Sequence, residues 1–292
     1  MNQTTDPVSI RQLLEQATRL LNTASARLDA EVLLGHVLQK TRSHFHAWPE
    51  KRVPSAIHKR FTELLQRRLK GEPVAYLTGE REFWSLPLSV TADTLIPRPE
   101  TETLVARALE RIPADRPQLV ADLGTGSGAI ALAIASERPQ CRVIATDIVA
   151  TAIEVARSNA ARLGLLTIEF HSGGWCGPLA GLHLDMIVSN PPYIAENDPH
   201  LVSGDVRFEP RTALASGPQG MDDLTAIAQC AIKHLKPGGW LLIEHGYDQG
   251  ELARQLLEAT GYIEVITYTD DTGLDRVTAG QRCQEPVGLR DS

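Results

Sequence analysis

Asn190-Pro191-Pro192-Tyr193 is the segment of this chain whose residue types folding alone explains least. Two consecutive prolines cannot donate to a sheet, and they hold the backbone as a stiff loop. The Asn190 side-chain oxygen and the Pro191 carbonyl can then stand as two acceptors at the edge of a pocket, with the flat ring of Tyr193 beside them. A planar NH2 group needs such surroundings: two acceptors for its two hydrogens and a ring packed on its plane. An amide nitrogen is a weak nucleophile, because its lone pair is delocalised. Gripping both N–H bonds favours a geometry that offers the lone pair to an electrophile. The expected chemistry is transfer of a methyl group to that nitrogen, with in-line alignment supplying much of the catalysis. Carbonyl acceptors suit the positive character that grows on nitrogen. Asn190, Pro191 and Tyr193 are the catalytic candidates, Pro192 completes the substrate pocket, and no side-chain base is required.

A second constellation lies upstream. Asp122-Leu123-Gly124-Thr125-Gly126-Ser127-Gly128 ends an apolar run and opens a helix. Its glycines permit a tight turn and close approach of a ligand to the main chain. The helix N-terminus adds unpaired N–H groups. Asp147, at the end of the next apolar run, could accept from both ribose hydroxyls of a nucleoside. The loop implies a nucleoside-bearing cofactor without saying which. Gly124, Gly126 and Ala129 also satisfy the dinucleotide fingerprint, with Asp147 at a suitable distance. An NAD-dependent oxidoreductase therefore stays open on the loop alone, as does a glycine turn that only permits close packing. The Asn-Pro-Pro-Tyr turn discriminates, because hydride transfer has no use for it. The sulfonium of S-adenosylmethionine (SAM) supplies a methyl without a general acid. SAM is thus the expected cofactor, S-adenosyl-L-homocysteine the product, and no metal is called for.

These residues need a scaffold that holds them at strand ends. Helix 99–111 precedes strand 119–123, helix 128–137, strand 142–147 and helix 150–163. A short strand near 167–170, strand 184–190, helix 222–235, strand 240–246, helix 248–259 and two closing strand-like runs follow. Such alternation predicts an α/β fold, a mostly parallel sheet with helices on both faces. In these sheets ligands sit at the carboxyl ends of the strands. Residues 8–70 read instead as a small helical bundle, with Ser9, Ser25 and Ser55 as candidate helix starts and a stop at Gly71. Residues 81–91 turn toward strand character, and Pro87 excludes a central position in a sheet.

The net charge of −7 is uneven. Residues 1–85 carry 13 Lys+Arg against 9 Asp+Glu, a balance of +4, and the other 207 carry 16 against 27, or −11. An acidic large domain is a poor general binder of nucleic acid. The opening residues show no leader pattern, and no run is long and apolar enough for a membrane span. Cys141, Cys176, Cys230 and Cys283 are far apart, which argues against a disulfide framework or a zinc site and for a reducing cytoplasm. His44 and His46 lack a third metal ligand, and His245 is expected to serve packing or hydrogen bonding.

Across nearly its whole length the chain resembles the HemK/PrmC family, the peptide chain release factor glutamine N5-methyltransferases. The resemblance rests on Asp29-Ala30-Glu31, Gly71-Glu72-Pro73, Arg81-Glu82-Phe83-Trp84 and Pro97-Arg98-Pro99-Glu100-Thr101-Glu102. It continues through the glycine loop, Asn190 to Tyr193, Phe208-Glu209-Pro210 and Glu244-His245-Gly246. It implies a class I SAM-dependent methyltransferase fold, Rossmann-like with a seven-stranded sheet, over residues 99–292. A helical substrate-recognition domain over 1–80 and a hairpin-like linker over 81–98 would precede it. The implied substrate is the glutamine of a Gly-Gly-Gln tripeptide in bacterial release factors, with no stable nucleic-acid or membrane partner. By matched position, Gly124, Thr125, Gly126, Ser127, Gly128, Asp147 and Asn190 would hold SAM, with Trp175 near its adenine. Asn190 to Tyr193 would receive the glutamine, Arg98 and Glu100 would shape the pocket mouth, and Leu95 or Ile96 would form an apolar wall. Glu102 is open between a site role and first-turn helix chemistry. Two departures stand out. Gly174 occupies a position where the family usually has an acidic residue, leaving adenine to stacking, backbone or water. Gly220-Met221-Asp222-Asp223-Leu224 departs from a more usual Gly-x-Asp-Gly-Leu, a difference expected to touch only a surface turn. The rival readings are an adenine-N6 nucleic-acid methyltransferase, which shares the Asn-Pro-Pro-Tyr logic, and a catalytically idle binding module.

Overall fold

A computed structural model describes residues 8–284. Residues 1–7, part of the opening stretch read for a leader, lie outside the described residues. The chain divides into two compact units, Met1–Glu80 and Arg81–Ser292.

The first unit is helical: α1 (Ile10–Leu20), α2 (Ala26–Leu38), α3 (Arg42–Ala47), α4 (Ser55–Leu69) and α5 (Val74–Thr78). Leu13, Leu14 and Ala17 of α1 meet Leu33 and Leu34 of α2 and Phe61 and Leu65 of α4 in one buried cluster. Ser9 caps α1 in a reciprocal capping box with Gln12, a device that contributes about 1 kcal/mol. The other two serine starts behave differently. Ser25 makes no cap; its hydroxyl donates to Asp29 Oδ1 at 2.8 Å. Pro54 holds the cap position of α4, so Ser55 is already helical. Asp29 and Glu31 form the polar interior of the bundle. Buried Asp29 accepts from buried Arg68 at 2.8 Å, and Glu31 accepts from Arg27 and Arg42. Removing one partner of a pair buried like Asp29–Arg68 costs about 3–5 kcal/mol, so these motif residues are accounted for by folding. His44 and His46 flank the buried Phe45 on α3.

In the second unit, β1 (Glu80–Phe83) and β2 (Leu86–Ser89) make a two-stranded sheet turned through Trp84 and Ser85, both at positive φ. Glu102 pins this turn, accepting from Trp84 N at 2.9 Å, a structural contact. The expected helix at 99–111 starts as a 3-10 turn over Pro99–Thr101 and continues as α6 (Glu102–Leu109). Then come β3 (Leu119–Leu123), α7 (Ala129–Glu137), β4 (Arg142–Asp147), α8 (Ala150–Leu163), β5 (Ile168–Ser172), β6 (Leu184–Ser189), α9 (Asp222–His234), β7 (Leu235–Glu244), α10 (Gly250–Thr260), β8 (Tyr262–Thr269) and β9 (Asp275–Arg282). The strands pair in the order β5-β4-β3-β6-β7-β9-β8. β3 to β7 run parallel, and β9 is antiparallel to both of its neighbours. Strands β3 and β6 are near-continuous apolar runs because helices cover both faces of the sheet. Two buried clusters lie on opposite sides of it, one built around α7 and α6, the other around α9 and Leu257 of α10.

One expectation is overturned. Cys176 and Cys230 form a disulfide, with Cα atoms 6.0 Å apart across 54 residues of sequence. Linear spacing shows no pair because one cysteine sits in the loop after β5 and the other on α9, and only the packing of α9 against the sheet brings them together. Among the described residues no helix is long and apolar enough to cross a membrane, and no three His, Cys, Asp or Glu side chains cluster to hold a metal.

Candidate active site

Strand order places the site. β3 has β4 on one side and β6 on the other, so their connections leave in opposite directions and open a crevice at the carboxyl ends. Leu123 and Ser189 are register partners, and Ser189 Oγ donates to the Leu123 carbonyl at 2.7 Å. The next residues, Gly124 and Asn190, therefore stand side by side at the head of the crevice. A cavity of about 340 Å³ lies here, lined by Gly124, Gly126, Asp147, Trp175, Asn190 and Pro192 among others.

The glycine loop presents backbone to this cavity. Gly124 has φ +72, and a Cβ on it would stand 3.2 Å from the Trp175 ring, so both its conformation and the closeness of the indole require glycine. Gly126 N donates to Asp147 Oδ2, and Val149 N donates to Oδ1, both at 2.9 Å. Asp147 is thus fixed by two backbone bonds, and each oxygen keeps a lone pair for a ribose hydroxyl. Thr125, Ser127 and Gly128 do not line the cavity. Thr125 Oγ1 donates to the buried Asp122 at 2.6 Å, and the Ser127 carbonyl accepts from Asn159. Burial, reinforced by the Asp147 charge, pushes the Asp122 carboxyl up to about 7.

A second cavity, about 210 Å³, shares Leu95, Asn190 and Ala213 with the first and adds Arg98, Pro191, Tyr193 and Ile194. Asn190 is the polar side chain common to both. Its Nδ2 donates to Thr101 Oγ1 at 3.1 Å, while its Oδ1 is buried and has no partner. An unsatisfied buried acceptor is costly, and one on the polar side chain that lines both cavities marks where a donor is to come. Tyr193 Oη donates to Glu244 Oε1 at 3.3 Å. The Tyr193 carbonyl accepts from Gln249 Nε2 at 3.0 Å, and the Ile194 backbone pairs with Leu214 and Ser216. Arg98 is held by an ion pair to the buried Glu209, whose other oxygen accepts from Ile96 N at 3.1 Å. Leu95 is the apolar wall, while Ile96 is buried beneath it.

Glu100 stands elsewhere. It lines a separate groove with Trp84, Glu102, Asp270 and Asp271 and reaches the site only through its charge, which raises the Glu244 pKa. The turn at Gly220 is more than a surface feature. Gly220 is buried, and a Cβ there would collide with the Tyr193 carbonyl, while Asp223 lines the larger cavity together with Gly174 and Trp175. Thr101, Glu209, Glu244 and Asp223 fall in segments named from the sequence without a site role, and Gln249 was not singled out at all. A polar residue inside an otherwise apolar strand end, as Glu244 is, was the available signal. His245 is fully buried between Gly246 O and Thr278 Oγ1, and burial lowers its pKa, consistent with a packing role.

The seven-stranded order, with antiparallel β9 inserted between β7 and β8 and a glycine loop at the switch point, is the architecture of the class I methyltransferases. The solved Methyltransferase from Pyrococcus furiosus shares this fold, with a TM-score of 0.53 at 17% identity over 76% of this chain and 99% of that one. The PrmC N-terminal domain family matches residues 12–79, and the methyltransferase small domain family matches residues 102–206. A protein named release factor glutamine methyltransferase from Aliivibrio fischeri is 51% identical over 94% of this chain and 98% of its own length. One of the same name from Vibrio cholerae is 51% identical over 94% and 97%. This chain belongs to the release factor glutamine methyltransferase family, and methyltransferases of this class use SAM.

Proposed function

We infer that this protein methylates the side-chain amide nitrogen of a glutamine in bacterial peptide chain release factors, that of the Gly-Gly-Gln tripeptide, with SAM as donor. The observation that carries the reading is the buried, unpartnered Asn190 Oδ1 at the junction of the two cavities. The larger cavity suits the cofactor. Its open glycine main chain, the Asp147 carboxylate and the Trp175 ring match a nucleoside's backbone-close, hydroxyl-bearing and aromatic parts. Asp223 supplies the carboxylate that Gly174 lacks and is assigned to the adenine amino group. When bound, SAM supplies an electrophilic methyl on a cationic sulfur and leaves as S-adenosyl-L-homocysteine; no metal is needed.

The chain's own residues do the positioning. Asn190 Oδ1 accepts one amide hydrogen of the glutamine, and the Pro191 carbonyl is assigned the other. The Tyr193 ring and Leu95 confine the amide plane, which excludes water and aligns the nitrogen lone pair. The new bond joins carbon to that nitrogen, and the surplus proton leaves to solvent. The buried Tyr193 hydroxyl has its pKa raised, by burial first and by Glu244, so it is no base. The Met1–Glu80 unit, matched by the family's N-terminal domain, is assigned to recognition of the release factor. A substrate of the translation machinery supports a cytoplasmic location.

The test is incubation with labelled SAM and a mixture of release factor, tRNA and DNA. Label is expected on the Gly-Gly-Gln glutamine. Label in nucleic acid alone would replace this reading with the adenine-N6 one.

A further inference from the structure

The Asn190 carboxamide works only one way round. A half-turn of its terminal torsion exchanges oxygen and nitrogen with little change in shape. In the wrong orientation, an NH2 donor would face the NH2 of the incoming amide. Something must choose, and among the described residues the only bond to Asn190's side chain is the one to Thr101 Oγ1. A hydroxyl has one proton and can either give it to Oδ1 or accept from Nδ2, so Thr101 by itself does not decide.

Glu244 decides for it. Thr101 is 3% exposed and Glu244 fully buried at the end of β7. The Thr101 hydroxyl stands near enough to this carboxylate to favour its charged form, without a hydrogen bond of good geometry between them. That carboxylate is short of donors: Oε1 takes Tyr193 Oη, and Oε2 has no partner of good geometry. A carboxylate accepts and cannot donate, and charge-assisted bonds are about twice as strong as neutral ones. The Thr101 proton therefore goes to Glu244. This leaves Thr101 only lone pairs for Asn190, which must turn its NH2 inward and its Oδ1 toward the cavities. Tyr193 ends on the same carboxylate, so one buried acid anchors both ends of the Asn-Pro-Pro-Tyr turn.

We propose that Thr101 and Glu244 are positioning residues that set the hydrogen-bond direction of Asn190, making its side chain an acceptor toward the substrate amide. The proposal deepens the reading of the site as a carboxamide methyltransferase and rests on it for its kinetic consequences. The direction of the relay can be read without any substrate.

The variants are Thr101→Val, which keeps the shape and removes the hydroxyl, and Thr101→Ser, which keeps the hydroxyl. With release factor as substrate, Thr101→Val is expected to lower kcat about 10- to 100-fold, the equivalent of losing one buried bond. KM for release factor and SAM affinity should stay within about threefold, and Thr101→Ser should recover most of kcat. Glu244→Gln should also slow turnover, and the loss in the Thr101→Val/Glu244→Gln double variant should fall well short of the two single losses multiplied together, because they share the Asn190 orientation and only the Tyr193 anchor is separate. Normal turnover in Thr101→Val, no recovery with serine, or additive losses in the double variant would overturn the proposal. The NMR signals of the Asn190 side-chain NH2, assigned by their loss in Asn190→Ala, give the independent readout. They should exchange slowly with solvent in the wild type and quickly in Thr101→Val. Slow exchange in both variants sinks the relay even if folding compromises the kinetics. A wild type that shows the protected NH2 yet never labels release factor would instead sink the substrate assignment.

Discussion

The two loops at the head of the crevice are built by opposite means. The β3–α7 loop is made of backbone: its shape comes from Gly124, Gly126 and Gly128 at positive φ, and its nearest anchor, Asp147, is one strand away. The turn after β6 is made of side chains. Its prolines stiffen it, but Asn190, Tyr193 and its last carbonyl are oriented by Thr101, Glu244 and Gln249, each more than 50 residues distant in sequence. Binding a cofactor shared by many enzymes asks for main-chain complementarity, which short sequence can encode. Orienting one amide against another asks for directional partners, which only tertiary packing delivers.

That contrast can be broken by substitution. Asn190→Ala removes the acceptor itself and should lower kcat about 10²- to 10³-fold, the scale of losing a preorganised charge-stabilising group. SAM titration should show nearly unchanged affinity, and a cofactor-binding defect of similar size would mean the two loops are not separable. Gly124→Val attacks the other loop, where a side chain at φ +72 meets the Trp175 ring. SAM affinity should fall at least about 10-fold, on a backbone penalty of about 1–2 kcal/mol plus the clash. Isothermal titration that found wild-type affinity would remove the loop from the cofactor site. Asp223→Ala should weaken SAM by about 5- to 10-fold, the worth of one ordinary hydrogen bond of about 1–1.4 kcal/mol, and leave kcat at saturation alone. If it instead slows saturated turnover, Asp223 belongs to the chemistry and not to adenine.

The smallest expected effect comes from pH. Burial pushes Glu244 up to about 7, against the pull of Thr101, Arg276 and Tyr193 and with the push of Glu100. Protonated Glu244 no longer demands the Thr101 proton, so kcat should rise a few-fold as pH climbs through about 7, and Glu244→Gln should flatten that limb. Stability should move the other way. Asp122 and Glu244 are both raised above their unfolded values to about 7, so folding favours their protonated forms. The contribution is full below the unfolded pKa and is lost as pH rises through about 7. The melting temperature of the free protein should therefore fall between about pH 5 and pH 8, and Asp122→Asn should lessen the fall. A flat stability profile would place both carboxyls in less dry surroundings than their burial indicates.

Much of the architecture was legible in advance. Alternating periodicity determined the parallel sheet and its flanking helices, because burial on both faces leaves an uninterrupted apolar strand whatever its neighbours are. Gly124, Asp147 and Asn190 to Tyr193 were readable at strand ends because loops that hold ligands use residues that folding does not otherwise favour, whereas Trp175 came only from the family resemblance. The serine starts were readable only in part: Ser9 caps α1, but Ser25 is drawn to Asp29, since a hydroxyl serves whichever acceptor tertiary packing sets nearest.

Tertiary structure alone decided which distant groups meet. It joined Cys176 to Cys230 across 54 residues, turned Glu100 away into its own groove, brought Asp223 to the larger cavity and set Thr101 against Asn190. Periodicity and turn chemistry act over a few residues and can be read from the chain. Hydrogen-bond direction and side-chain proximity depend on strand order, and no short stretch of sequence carries that.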